Sequence, residues 1–187
     1  MFPISHFNIT KTPFYYYDKT LLSNTLAKLI RLAGERNYHV HYAVKANANP
    51  EILKLIAASG IGADCVSGGE IKAALEAGFP AKKIVFAGVG KADWEIEYAL
   101  EKKIFCFNVE SAEELSVIEE LAKKKENIAS IALRINPNID AHTHEYITTG
   151  LSENKFGIPI EMLDSIFSQI QRSPHVQLVG FHFHIGS

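Results

Sequence analysis

The chain has 187 residues, 47% of them apolar, and a net charge of -2 at pH 7. This length supports one domain with a sizeable hydrophobic core. The near-neutral charge gives no general attraction to nucleic acid or to an anionic membrane. No apolar run reaches the length of a membrane span, and the N-terminus lacks the order of a signal peptide. We therefore predict a cytoplasmic protein with neither kind of partner.

The first part of the chain divides into an aromatic segment and a helix. Residues 1–17 are rich in aromatic residues and prolines and have no helical period, which predicts an extended segment. Asp18 is a typical helix cap, and leucines at helical spacing follow it as far as Gly34. Further along, Cys65 and Cys106 lie in strand-like runs, which predicts buried thiols in a reducing compartment.

From residue 39 the chain repeats a strand followed by a helix. Strands are predicted to begin near residues 39, 61, 83, 103, 128 and 175, with a helical stretch after each of the first five. Such a series indicates parallel strands joined by helical crossovers. Local signals mark the helix ends, and these are Asn49-Pro50, Ser67 with Glu70, Ser111 with Glu114, Gly60 and Gly78.

The predicted strands have one bulky face and one thin face. The segments 39–45, 130–135 and 180–184 all alternate large apolar residues with small or polar ones. A doubly wound open sheet meets helices on both faces and favours continuous apolar runs, so the alternation favours an α/β barrel.

Six strands are fewer than the eight of a closed (β/α)8 barrel, and the sequence stops just after a strand. We therefore expect the first part of a longer natural protein, an incomplete barrel of about six strand-helix units. A long loop between Asn136 and Pro159 interrupts the repeat, and loops of this length are usually functional or mobile.

Parallel strands bring their carboxyl ends to one rim, where such barrels carry their chemistry. This places Lys45, Asp64, Arg134, His184 and Ser187 at that rim. A rim lysine with a lowered pKa can act as an amine nucleophile, while histidine and serine can bind an aromatic phosphorylated cofactor. Without a glycine-rich nucleotide fingerprint, this set points toward pyridoxal phosphate.

Six segments of the sequence occur in an order that resembles a known family. They are Ala43–Asn47, Gly62–Glu70, Phe107–Ser111, Arg134–Pro137, Lys155–Gly157 and His182–Ser187. Together they are similar to the pyridoxal-phosphate-dependent amino-acid decarboxylases of the alanine racemase fold, and most similar to the diaminopimelate decarboxylases. The resemblance runs from residue 13 to the last residue.

The resemblance implies a role for each rim residue. Lys45 is expected to hold pyridoxal 5'-phosphate through its amine and to act in catalysis with His184, which stacks on the pyridine ring. Ser187 is expected to bind the phosphate group. Asp64 is expected in the network beside Lys45, with Arg134 close to the ring.

Several residues keep a second interpretation. Lys45 also suits a solvated lysine at the end of a strand, and Asp64 suits a strand terminator. Glu70 is equally consistent with a capping-box acceptor and with a member of the cofactor-binding network. The histidines invite a zinc site, but their spacing assures no convergence, so no metal is predicted; they are His142, His144, His182 and His184.

The resemblance also implies an activity, which is decarboxylation of meso-2,6-diaminopimelate to L-lysine and CO2, the last step of lysine biosynthesis. Two alternatives stay open. One is a related decarboxylase for ornithine, arginine or carboxynorspermidine, and the other is a non-catalytic relative that binds pyridoxal phosphate.

In domain terms, residues 1–20 are expected to form an extended segment that packs against a C-terminal β domain, which this chain lacks. Residues 21–187 are expected to form a partial cofactor-binding barrel, inactive alone. The full-length protein is expected to be a homodimer that acts on a small amino acid.

Overall fold

A computed structural model describes residues 4–136 and 156–184. The chain divides into two compact units, Met1–Tyr38 and His39–Ser187. The first unit contains helices α1 (Ile4–Phe7) and α2 (Lys19–Gly34). Asp18 caps α2 as predicted, because its carboxylate accepts a hydrogen bond of 2.9 Å from the Leu21 amide. The prediction of an extended segment before α2 is wrong at α1, where four residues form one helical turn.

The second unit is built from alternating strands and helices. Its strands are β1 (His41–Ala43), β2 (Gly62–Cys65), β3 (Ile84–Phe86), β4 (Cys106–Val109), β5 (Ala129–Asn136), β6 (Ile158–Pro159) and β7 (Val176–His182). Its helices are α3 (Pro50–Ala58), α4 (Gly68–Ala77), α5 (Asp93–Lys102), α6 (Ala112–Lys124) and α7 (Leu163–Arg172). All six predicted strands are present, and the two-residue strand β6 was not predicted.

Every strand pair in the described residues is parallel. The sheet has the order β1-β2-β3-β4-β5, and β5 pairs with both β6 and β7. Contacts join α3 to α4, α4 to α5 and α5 to α6. Right-handed crossovers between strands in sequential order put the helices that connect those strands on one face, whereas a doubly wound sheet reverses its order at a switch point. The prediction of an incomplete α/β barrel is confirmed.

The strand register separates an apolar face from a thin face. Phe86, Phe107 and Ile131 are aligned neighbours on β3, β4 and β5, and all three are buried. Each contributes on the order of 2 kcal/mol through apolar burial. On the opposite face, Asp64 aligns with Val85, and both are half-buried. The core therefore lies between the sheet and its helices, as the alternation predicts.

Strand β1 ends earlier than the sequence predicts. The prediction that the strand continues to Lys45 is wrong, since Val44–Ala46 form one turn of 3-10 helix directly after Ala43. The Asn47 amide donates to the Val44 carbonyl at 3.1 Å, and the Tyr42 hydroxyl donates to the Asn47 carbonyl at 3.2 Å. These bonds turn the chain away from the sheet, and Lys45 lies exposed at the strand's carboxyl end.

The helix caps are close to those predicted. The Ser67 hydroxyl accepts from the Glu70 amide at 3.2 Å, and Ser111 accepts from Glu114 in the same way. The Glu70 carboxylate accepts at 2.8 Å from the amide of Val66, one residue before the cap. A capping box would bring that carboxylate to the cap residue itself, so here the reciprocal bond is displaced by one residue.

Both cysteines are buried free thiols, as predicted. Burial raises the pKa of Cys65 to about 12 and that of Cys106 to about 11, which keeps both protonated at neutral pH. Within residues 4–136 and 156–184, no helix has the length and apolar character needed to cross a bilayer.

Gly78 ends α4 in a left-handed backbone conformation, and a substitution there tests the strain of that conformation. Gly78 has φ +99°, and a Cβ there would meet no atom within 4 Å. Gly78→Ala is therefore expected to lower the free energy of unfolding by about 1 kcal/mol through backbone strain alone. Gly90→Ala is the matched control, because Gly90 also has open space but no positive φ. Equal changes in denaturant midpoint for the two variants would contradict this reading.

Candidate functional site

The carboxyl ends of the parallel strands bring four of the predicted residues to one edge of the sheet. Lys45 follows β1, and Asp64 lies in β2 beside Ala43, the last residue of β1. Arg134 lies near the end of β5, and His184 comes two residues after β7. The structure thus assembles these side chains at one rim, while the predicted phosphate ligand Ser187 is outside the described residues.

Asp64 is electrostatically coupled to its neighbours at this rim. Burial raises the pKa of its carboxyl group most strongly, and the negative charge of Glu70 raises it further. The charges of Lys45 and His184 act in the opposite direction. One oxygen, Oδ1, is buried and has no hydrogen-bond partner among the described residues. A buried carboxylate oxygen of this kind is costly unless a ligand meets it.

Glu70 serves the local fold and also acts on the rim. Its carboxylate accepts from the Val66 amide and so fixes the turn between β2 and α4. Its charge also raises the pKa of Asp64. Both interpretations of Glu70 from the sequence are therefore compatible with its position.

Arg134 is held by a carboxylate that the sequence analysis did not select. Its Nη1 donates to both carboxylate oxygens of Glu110, at 2.7 and 2.8 Å. Its guanidinium carbon also lies 5.7 Å from the centre of the Phe156 ring. Glu110 is only 6% exposed, so its charge requires this partner. The available signal was its position, since Glu110 directly follows β4 at the carboxyl edge.

His182 is a second residue of the rim that was not selected as a cofactor ligand. The alternation over residues 180–184 placed it on the thin face, and it was otherwise considered only as a metal ligand. It aligns with Arg134 across β5 and β7, and its Nδ1 is buried without a partner among the described residues. Burial lowers the pKa of His182, and the charge of Arg134 lowers it further. A neutral imidazole beside Arg134 is therefore part of the same rim.

The rim combines an exposed amine, a half-buried carboxyl group with one buried oxygen, a fixed guanidinium group and two imidazoles. Such a set can hold an anionic aromatic group and orient a carboxylate. Across residues 4–136 and 156–184, no three His, Cys, Asp or Glu side chains are grouped to hold a metal ion. Two of the histidines considered, His142 and His144, lie outside these ranges.

Comparison with known proteins gives a family match over most of the chain. The model of the pyridoxal-dependent decarboxylase, pyridoxal binding domain, matches residues 23–187. A diaminopimelate decarboxylase of Bacteroides thetaiotaomicron is 58% identical over the whole chain, which covers 49% of that protein. A diaminopimelate decarboxylase of Helicobacter pylori is 48% identical over 97% of the chain, which covers 45% of that protein. The chain thus spans about half the length of these curated relatives.

Solved structures agree with the family match. Diaminopimelate decarboxylase from Helicobacter pylori complexed with L-lysine has a TM-score of 0.86 and 46% identity, over 98% of this chain and 47% of that one. The enzyme from M. jannaschii in co-complex with L-lysine has a TM-score of 0.88 and 39% identity, over 98% of this chain and 44% of that one. This chain belongs to the pyridoxal-binding domain family of the pyridoxal-dependent decarboxylases.

Proposed function

We propose that the complete protein catalyses pyridoxal-phosphate-dependent decarboxylation of meso-2,6-diaminopimelate to L-lysine and CO2. The observation that carries this proposal is the 58% identity to a diaminopimelate decarboxylase along the whole chain. The L-lysine in complexes of two similar enzymes adds support, because L-lysine is the product of this reaction.

Family membership implies pyridoxal phosphate as the cofactor, and the residues at the rim fit such a group. The orphaned Oδ1 of Asp64 and the orphaned Nδ1 of His182 are polar atoms that a bound ligand can satisfy. The exposed Lys45 supplies an amine on the same edge. A carboxylate, a guanidinium group and imidazoles together match a polar aromatic ring.

When bound, the cofactor supplies the electron sink for the carbanion that remains as CO2 departs. Lys45 is proposed to hold the cofactor through its Nζ. Asp64 is proposed to belong to the network beside Lys45, and burial raises the pKa of its carboxyl group. Arg134 is proposed to lie close to the ring, and His184 to stack on it.

Two further residues complete the proposed site. Ser187 is proposed to bind the phosphate group. Glu70 is proposed to act in the network indirectly, through its negative charge on Asp64.

The complete protein is further proposed to be a cytoplasmic homodimer. Residues 1–20 are proposed to pack against a C-terminal β domain, and residues 21–187 to carry the cofactor. These points rest on the family resemblance, and light scattering that reports a monomer would contradict the dimer.

Substrate choice is tested by assaying CO2 release from the complete gene product. Diaminopimelate carries a second amino-acid centre, and leaving the groups that recognise it unpaired disfavours simpler amines. We expect kcat/KM for meso-diaminopimelate to exceed that for ornithine, arginine and carboxynorspermidine by about a hundredfold or more. Equal turnover of any of these three overturns the substrate assignment, and absence of all turnover favours the non-catalytic alternative.

The role of Lys45 is tested by covalent labelling. Borohydride treatment of the complete protein loaded with cofactor is expected to fix a pyridoxyl group on Lys45, as read by peptide mass mapping. Lys45→Ala is expected to abolish the visible absorbance of the bound cofactor. Lys54→Ala is the control, since Lys54 is an exposed lysine of α3 and forms a 3.1 Å surface ion pair with Glu51. A label on any other lysine contradicts the proposal.

The free-energy cost of burying the Asp64 carboxylate is tested by measuring the melting temperature at several pH values. The pKa of folded Asp64 is raised above its usual value of 3.8, so stability falls as pH rises from there through the raised pKa. Asp64→Asn is therefore expected to raise the melting temperature of the apoprotein at pH 7 by a few degrees, an effect that shrinks toward pH 4.

The control for this measurement is Asp93→Asn. Asp93 is an exposed acid in the first turn of α5, where the helix dipole favours negative charge, so its removal should not stabilise the protein. An equal gain in both variants, or a gain independent of pH, argues against a buried charge at Asp64.

A further inference from the structure

A buried lysine lies behind the rim, in the segment between β3 and α5. The side chain of Lys91 is only 1% exposed. Its Nζ donates to the Gly88 carbonyl at 2.6 Å, to the Asn108 carbonyl at 2.9 Å and to Glu114 at 2.6 Å. An ammonium group has three hydrogens, and these bonds use all of them. Lys91 is therefore fixed in one geometry that ties the ends of β3 and β4 to the start of α6.

Glu114 connects Lys91 to the backbone of Glu110. One of its carboxylate oxygens accepts from Lys91, and the other accepts from the backbone amide of Glu110 at 2.8 Å. Burial raises the pKa of Glu114, and the charge of Lys91 opposes that rise. Glu114 therefore links the Lys91 ammonium group to the Glu110 backbone through its two carboxylate oxygens.

Glu110 in turn holds Arg134 through both carboxylate oxygens. The four side chains form a continuous series of two cations and two carboxylates, all buried or half-buried. Lys91 and Arg134 both influence His182, because the charges of both lower its pKa. Lys91 therefore belongs to the electrostatic surroundings of the rim although it makes no described contact with Lys45, Asp64 or His184.

We propose that Lys91 and Glu114 are positioning residues, which fix the backbone at Glu110 and so hold the Arg134 guanidinium in place for the cofactor. This inference rests on the proposed function, since it requires Arg134 to lie against a bound pyridoxal phosphate. The two residues act through Arg134 and do not touch the cofactor.

A double-mutant cycle on the complete protein tests the inference. The dissociation constant of pyridoxal phosphate is measured for the parent, Lys91→Met, Arg134→Met and the double variant, by titrating each apoprotein and following cofactor absorbance. Lys91→Met is expected to weaken binding about tenfold in the parent, which is the lower end of the effect seen for residues that support metal ligands. In the Arg134→Met background the same change is expected to have little effect, because contacts that act as one unit are not additive.

Lys125→Met is the matched control. Lys125 also joins a helix end to α5, with 2.9 Å to Glu101 and 3.4 Å to Glu97, but it lies at the carboxyl end of α6, away from the rim. Its loss should leave cofactor affinity unchanged. If Lys91→Met fails to fold, the same cycle is run with Glu114→Gln, which keeps the shape of the side chain but removes its charge.

The outcomes separate the two proposals. Cofactor binding by the parent with an equal loss from Lys91→Met in both backgrounds overturns the inference and leaves the proposed function intact, because Lys91 then acts on general stability. A parent protein that binds no cofactor refutes the proposed function, and the inference with it. The positioning role is supported if Lys91→Met weakens cofactor binding in the parent but has little effect in the Arg134→Met background.

Discussion

Parallel pairing in register decides which side chains meet at the rim, because aligned residues on neighbouring strands point to the same face. Asp64 aligns with Ala43 on one side and with Val85 on the other, and Arg134 aligns with His182. A shift of one residue on any strand would move its polar side chains into the helix-facing core. The buried apolar face therefore holds the functional face in place.

The buried charges on the carboxyl edge form a second constraint, which depends on the first. Taking an ion out of water costs several kcal/mol, so an unpaired charge here would strongly destabilise the fold. Lys91 with Glu114 and Arg134 with Glu110 balance one another at 2.6 to 2.8 Å. Buried pairs contribute little net stability compared with apolar residues of the same size. Fixed geometry is a physical reason for such a cluster beside a site.

Local patterns in the sequence were sufficient to predict most of the strands and helices. Alternation located the strands, and cap residues such as Asp18 and Ser67 located helix starts, because both signals act over a few residues. The early end of β1 was not predicted, because the alternation continues to Lys45 although Val44–Ala46 already form a turn. The pattern of β7 gives the face of Phe181 but not its burial, and that residue is 54% exposed.

The candidate site was predicted in part, because local patterns also locate the ends of the strands. Lys45, Asp64 and Arg134 could be selected because each comes near or just after the end of a strand. Glu110 also directly follows a strand, so its position was a signal that was not used. Lys91 could not be selected, because a charged residue in a loop looks like a solvated one until its neighbours are known. The burial of Lys91 and Glu110 results from contacts between segments 17 to 24 residues apart.

The orphaned polar atoms show where the fold departs from the rules that govern its core. Asp64 and His182 lie on the same thin face, and each buries one polar atom without a described partner. Such an atom costs about 1 to 3 kcal/mol, and an apolar side chain at either position would avoid that cost. Sites that bind ligands commonly retain this kind of local conflict, because the partner arrives with the ligand. Asp64 and His182 therefore each carry a local cost in the free fold, and a bound cofactor explains why that cost is kept.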